Sequence, residues 1–297
     1  MAVSPTGLNK ILVASDLSDQ SGIAIRRAME LGREHAAEVI VVHVIDEDLP
    51  ETARSFLTTT SDHYVRQIIA TDPWARDLNV TINVVSGRPD IDIAERAEIA
   101  HADLIVVGLH TRLLEENLEI QGTVAERIIQ ATRLPVLVVK DTPRGPYRSV
   151  LVGLDFSPFS LAAVRTAMSI AADAKLHLVH AYEPISGLQH LARVREPGLS
   201  ERIDAKWQSR MERFIDTEMQ KLLDECPPDR RGGRMLSHIS LGGSPHEVLL
   251  REAERTGAEL IVIGAHGRTG LARLVLGSVS TELLNDRIAD ILVVRPF

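Results

Sequence analysis

The stretch GAHGRTGLARLVLGSVSTELL, Gly264 to Leu284, follows the apolar run ELIVI and leads into a helical pattern. Its small residues fall at Gly264, Gly267 and the pair Gly277-Ser278. A glycine directly after an apolar strand sits at the strand's carboxyl end, where doubly wound sheets bind ligands. Lacking a Cβ, it lets a ligand lie against the backbone or permits a positive φ. Gly267 is read the same way one turn later. Gly277-Ser278 then opens a helix, whose free N–H groups and dipole favour an anion. Ser278 is expected to cap that helix or to donate its hydroxyl to a phosphate oxygen. The loop between the glycines carries Arg268 and Arg273 and no acid. The stretch reads as a phosphate cradle. The plainer alternative is that these glycines only punctuate a strand end and a helix start.

A related stretch, GLHTRLLEENLEIQGTVAERI, runs from Gly108 to Ile128. It keeps Gly108 and Gly122-Thr123, but Thr111 replaces the second glycine and the loop is one residue longer. That loop carries Glu115, Glu116 and Glu119 against Arg112. A carboxylate about 4 Å from a triphosphate costs on the order of 1–4 kcal/mol, depending on screening. About 1.4 kcal/mol is a factor of ten. The first stretch is therefore expected to bind ATP weakly or not at all. An adenosine-like or uncharged ligand stays open for it, because Asp16 is retained.

The two stretches belong to a duplication. KILVASDLSDQS (10–21) matches SVLVGLDFSPFS (149–160), DLIVVGLH (103–110) matches ELIVIGAH (259–266), and VLVV (136–139) matches ILVV (291–294). Several blocks recurring in one order mark a repeated domain of roughly 145 residues, too long for a solenoid unit. The second copy gains length between His180 and Gly243.

Each copy alternates short apolar runs with amphipathic segments. The spacing predicts strands near 10–15, 39–45, 80–86, 104–108 and 136–140, then 149–154, 176–182, 235–241, 259–263 and 291–295. Between them, SGIAIRRAMELGREHA puts Ile25, Ala28, Met29 and Gly32 on one helix face, with Arg26, Arg27 and Glu30 elsewhere. A long surface helix is expected over 200–225. Alternating strands and helices imply α/β architecture: two tandem doubly wound, Rossmann-like domains with parallel sheets. Their bounds are read as 1–143 and 147–297, with KDTPRGPYR (140–148) as a turn-rich linker. The last strands, PVLVVK and DILVVR, are short apolar edges that invite pairing. Pairing them within the chain would make an intrachain pseudo-dimer; a homodimer of the whole chain is a further expectation. Asp290, where the first copy has Pro135, reads as a small departure.

Composition narrows the function classes. The chain has 297 residues, 44% of them hydrophobic and only 3% aromatic, so its core must be largely aliphatic. A formal net charge of −8 argues against broad capture of nucleic acid. The one cysteine, Cys226, allows no intrachain disulfide and no cysteine-based zinc site. No apolar run is long enough to span a membrane, and a cytoplasmic protein is expected.

The spacing Gly264-x2-Gly267-x9-Gly277-Ser278, with VGLDFS, LVHAYEP and ILVV around it, resembles the ATP-binding motif of the universal stress protein family. The resemblance covers nearly the whole chain. It implies five-stranded α/β domains like those of adenine nucleotide alpha hydrolases, ATP (with or without Mg2+) across the ends of strands 1 and 4, and a role in stress regulation. It implies Asp155 near the adenosine, the backbone of Ala181 at the adenine edge, and Gly264, Gly267, Gly277, Ser278, Val279 and Ser280 around ribose and phosphates. His266 and Arg268 lie within the same motif. The corresponding degenerate site would comprise Asp16, Val44, Gly108, Gly122 and Thr123. Asp155 also reads as a turn or cap residue before SPFS, and the two roles are compatible.

His43 and His180, like His110 and His266, recur at matched positions. Local packing or backbone bonding is favoured over a metal site, because no HExxH or Cys/His spacing accompanies them. No catalytic residue is assigned. Three functions are weighed: an ATP-binding stress regulator with at most weak ATPase activity and an unidentified regulatory protein partner; an ATP-using enzyme, an ATPase or nucleotidyl transferase; and a nucleotide-independent scaffold acting through 183–233.

Overall fold

The computed structural model describes residues 7–109, 123–182, 235–241, 244–265 and 276–295, together with scattered helical positions between 209 and 221. The first half runs β1 (Lys10–Ser15), α1 (Asp19–His35), β2 (Glu38–Asp46), α2 (Glu51–Thr71), β3 (Val80–Gly87), α3 (Pro89–Ile99), β4 (Leu104–Gly108), α4 (Val124–Ala131) and β5 (Val136–Val139). The second runs β6 (Ser149–Gly153), α5 (Pro158–Ile170), β7 (Lys175–Tyr182), β8 (Met235–Leu241), α6 (Pro245–Thr256), β9 (Leu260–Gly264), α7 (Ser278–Asn285) and β10 (Asp290–Val294). The strands fall within a residue or two of their sequence-based positions. The described part of the expected 200–225 helix is helical and exposed.

All ten strands form one sheet, in the order β3-β2-β1-β4-β5-β10-β9-β6-β7-β8. Every neighbouring pair is parallel except β5–β10, which is antiparallel with Leu137 opposite Leu292. The two halves therefore meet edge to edge about a pseudo-two-fold axis, as the exposed-edge argument anticipated. The innermost strands are aliphatic and buried on both faces: β4, β5 and β10 have no exposed residue.

Two hydrophobic clusters cover the two faces of the sheet, and each contains residues of both halves. One joins Ile25 and Met29 of α1 to Val164 and Ala167 of α5. The other joins Ile93 of α3, Ile128 of α4, Val248 of α6 and Leu283 of α7. Helix starts are fixed locally and repeat between the halves. Ser18 accepts from the Ser21 N–H and Ser157 from the Ser160 N–H, each satisfying one orphan donor of a first turn.

Two sequence expectations change at the junction. Arg27 and Glu30, read from the sequence as lying off the apolar face of α1, are buried and paired at 2.5 Å. Asp290, read as a small departure, is the hub of the polar contacts there. Its Oδ2 accepts the Tyr147 hydroxyl at 2.6 Å and lies 3.5 Å from Arg27 Nε, while its Oδ1 accepts the Lys140 N–H at 2.8 Å. Arg27 also donates to the Gly145 carbonyl and lies 4.1 Å above the Tyr147 ring. The linker is thus packed into the interface, because a buried charge needs partners and 140–148 supplies them. Burial raises the carboxyl pKa of both Asp290 and Glu30, against the opposing pull of their donors. Burial, and then the Asp290 charge, also push the Tyr147 hydroxyl up. Among the described residues no helix is long and apolar enough to cross a membrane.

Candidate functional site

In the second half, a cavity of about 320 Å³ opens where β6, β7 and β9 end. Asp155 and Ala181 line it, with Gly264, Gly277, Ser278, Val279 and Ser280. The fold therefore brings together residues up to 125 positions apart in sequence. His266, Gly267 and Arg268 lie outside the described residues, as do Arg273 and the rest of the basic loop.

The loop after β6 is tightly built. Asp155 Oδ1 accepts the Ser157 N–H at 2.9 Å, and the Asp155 N–H donates to Ser160 Oγ at 3.3 Å. Between them Phe156 holds φ at 61°, and Leu17 holds 66° at the matching place in the first half. A non-glycine residue there stores on the order of 1–3 kcal/mol. The same Asp-to-Ser bond fixes both loops, since Asp16 Oδ1 accepts the Ser18 N–H at 3.1 Å and its hydroxyl at 2.6 Å. Asp155 is thus both a turn former and a wall of the cavity.

Gly264 is small for a reason the sequence did not disclose. A Cβ there would lie 2.7 Å from Phe159 Cβ and 2.9 Å from the Phe159 carbonyl carbon. A Cβ on Gly108 would lie 2.8 Å from the Gln20 carbonyl oxygen. Neither glycine adopts a positive φ. The starts of α5 and α1 crowd these strand ends, so the missing side chain is demanded by a helix whether or not a ligand is present.

Two further expectations are corrected at α7. Gly277, not Ser278, is its N-cap, and it has no side chain to offer. The Gly277 N–H is itself spent on the Ala265 carbonyl at 3.1 Å. The backbone donors that an anion would meet at this helix start are accordingly those of the first turn, Ser278 to Ser280. Ser280 turns its hydroxyl back to the Gly264 carbonyl at 3.3 Å, tying helix start to strand end.

The first half has a smaller cavity, of about 120 Å³. Asp16, Val44 and Gly108 line it, whereas Gly122 lies outside the described residues along with Glu115, Glu116 and Glu119. Gln20, in the place of Phe159, spans to the Val139 and Lys140 carbonyls at 3.1 and 3.3 Å. Thr123 caps α4 and forms a capping box with Glu126. A carboxylate thus takes an N–H at the start of α4, whereas α7 has no side-chain cap. Glu126 was not singled out from sequence, although the T-x-x-E pattern of a capping box was there to be read.

The paired histidines bond locally. His43 Nδ1 donates to the Ser15 carbonyl at 2.8 Å and His180 Nδ1 to that of Leu154 at 2.6 Å. Among the described residues no cluster of three His, Cys, Asp or Glu could hold a metal ion. His110 lies outside them. Behind each cavity the last two helices are joined by a polar side-chain contact, with the acid on the earlier helix in the first half and on the later helix in the second. In the first half Asp90 meets Arg127 at 3.4 Å; in the second His246 meets Glu282 at 3.3 Å and Asp286 at 2.5 Å.

A model of the universal stress protein family matches residues 7–140 and again 146–295. A universal stress protein of Mycolicibacterium smegmatis is 25% identical over 308 residues, covering 96% of this chain and 97% of its own length. Universal stress protein Rv2005c of Mycobacterium tuberculosis is 29% identical over 235 residues, covering 74% and 70%. Among solved structures, a universal stress protein from Archaeoglobus fulgidus superposes with a TM-score of 0.66 at 20% identity, covering 97% of this chain and 98% of that one. The functionally unknown protein PA1789 from Pseudomonas aeruginosa gives 0.62 at 19%, covering 98% and 94%. At such identities the structural likeness speaks for the fold alone.

Proposed function

The chain belongs to the universal stress protein family, and from that premise we propose that it is a stress-response regulator that holds ATP in its second domain and not in its first. The observation that carries this is the contrast between two equivalent helix starts. In the second domain α7 begins at a glycine against a cavity of about 320 Å³. In the first, the N–H at the start of α4, that of Thr123, is already taken by the Glu126 carboxylate of the same helix. An anion is stabilised by the free N–H groups and dipole of the former and repelled by the carboxylate of the latter.

In this reading the first-turn N–H groups of α7 face the phosphates, Asp155 faces the adenosine, and the Ala181 backbone meets the adenine edge. Gly267, His266 and Arg268 complete the phosphate side. Mg2+ would arrive with the phosphates, since that ion binds through one or two carboxylates plus substrate oxygens and keeps most of its waters. The nucleotide acts as a structural or switching ligand with slow hydrolysis at most. A cytoplasmic setting and a regulatory protein partner belong to the same proposal.

The test is direct. The purified chain is denatured and any released nucleotide identified by mass, and ATP binding is measured by calorimetry for the wild type and Gly277→Val. One nucleotide per chain, lost in the variant, is expected. A protein that carries no nucleotide and shows no ATP affinity sinks the proposal, and multiple turnover at enzyme-like rates replaces it with an ATP-using enzyme.

A further inference from the structure

The last strand of each half is followed by a cation, Lys140 after β5 and Arg295 after β10, at matching positions of the duplication. Because these strands pair antiparallel, each cation is delivered to the other half. Lys140 Nζ donates to the Leu283 carbonyl at 2.7 Å and to the Asp286 carbonyl, both at the C-terminus of α7. Arg295 Nη1 lies 3.3 Å from the Gln130 carbonyl oxygen and 3.4 Å from that of Thr132, at the C-terminus of α4. Each half thus closes the far end of the helix whose near end lines the other half's cavity.

We infer that Lys140, a first-domain residue, is a positioning residue for the anion site of the second domain. The inference rests on the nucleotide reading of that site. The last carbonyls of a helix have no partner within it. A partly buried cation on them satisfies these groups and opposes the negative end of the dipole. Helix α7 has only eight residues, about 12 Å of axis, so its two ends act on one short dipole. An anion on its first turn and Lys140 on its last stabilise the same helix in the same place. The Asp286 side chain is held independently by His246 Nε2 at 2.5 Å. Lys140 is the contribution that crosses from one domain to the other, and it gives a reason for the two halves to remain fused through this edge.

The pseudo-symmetry supplies its own control. Arg295 makes the same kind of contact on α4, whose first turn is already closed by Thr123 and Glu126. Loss of Arg295 loosens the junction without touching α7.

The experiment compares full-length wild type with Lys140→Met, Lys140→Arg and Arg295→Met. ATP and adenosine affinities are measured by calorimetry, and amide hydrogen exchange is followed over α7 and α4. Lys140→Met should weaken ATP roughly fivefold, as expected for a partly buried charge at a helix end, while adenosine changes less than twofold. Lys140→Arg and Arg295→Met should stay within twofold for ATP. Exchange should rise in α7 for Lys140→Met and in α4 for Arg295→Met. If Lys140→Met does not fold, Lys140→Gln, which keeps a donor without the charge, takes its place. Unchanged ATP affinity and α7 exchange overturn the inference, as does an equal loss of ATP in Arg295→Met. If the wild type binds no ATP, the nucleotide reading fails by itself. Exchange in α7 then decides whether Lys140 fixes that helix.

Discussion

Thr123 and Glu126 close on each other at the start of α4: the Glu126 N–H donates to the Thr123 hydroxyl at 3.2 Å, and the Thr123 N–H donates to the Glu126 carboxylate at 2.6 Å. The box satisfies two orphan donors at the point where the second domain leaves its helix open. Nucleotide stoichiometry is therefore expected to be one per chain, and native mass spectrometry reads it directly. Two equivalents would mean that the box opens for an anion. Glu126→Ala should lower stability in urea by about 1 kcal/mol, the usual worth of a cap.

Gly264 and Gly277 are predicted to fail in different ways. Gly264→Ala forces a Cβ to within 2.9 Å of Phe159 backbone, so it should cost about 1–3 kcal/mol of overpacking even without nucleotide. Gly108→Ala should do the same through Gln20, in a domain expected to hold no ATP. Gly277→Val, at the N-cap of α7, should cost the ligand-free protein about 1 kcal/mol as a poor cap and abolish binding. Thermal melts with and without ATP separate the cases. A ligand-free Gly264→Ala protein as stable as wild type would mean that the helix start gives way.

The reversed polar contacts behind the cavities give a third prediction. Arg127→Glu sets a second carboxylate beside Asp90, where the wild-type pair is at 3.4 Å. The pair is partly exposed, so the loss should stay below about 1 kcal/mol. Adding Asp90→His rebuilds the pairing of the second domain and should recover most of the loss at pH 6, where much of an ordinary histidine is still protonated. Strict additivity of the two changes would argue that the pair carries no coupling.

Much of this was legible in the sequence because strands buried on both faces leave unbroken aliphatic runs, and because the duplication gave each element a second witness. The cavity residues Asp155, Ala181 and Gly277 were legible as motif positions. What Gly264 is small for was not, since nothing at 264 announces that Phe159 will lie against it. Arg27, Glu30 and Asp290 were illegible for a different reason. Their counterparts are Thr166, Ser169 and Pro135, so the repeat offered no second witness. An amphipathic pattern also assigns a charge to solvent by default, and only the pairing of β5 with β10 turns that edge of α1 inward. Glu126 was visible in principle as the last residue of a T-x-x-E pattern, Thr123 to Glu126.

Asp290 carries the last prediction, which concerns pH. Its folded-state pKa is raised, chiefly by burial, so folding disfavours its charged form. For an acid raised in this way, the native state holds its proton to higher pH than the unfolded chain does. The contribution is therefore fully present below the unfolded pKa of about 4, and is lost as pH rises through the folded value. Asp290→Asn cannot titrate. Glu30, raised by burial in the same sense, is present in both proteins and largely cancels in the comparison. The variant loses an acceptor for Lys140 or Tyr147 and should be less stable at pH 4 by about 1–3 kcal/mol, the cost of leaving a buried donor unmet. That deficit should shrink as pH rises from about 4 and then level off. A deficit that instead grows with pH would show that the attraction of Arg27 outweighs burial, and that the junction is held by the charge of Asp290 rather than by its hydrogen bonds.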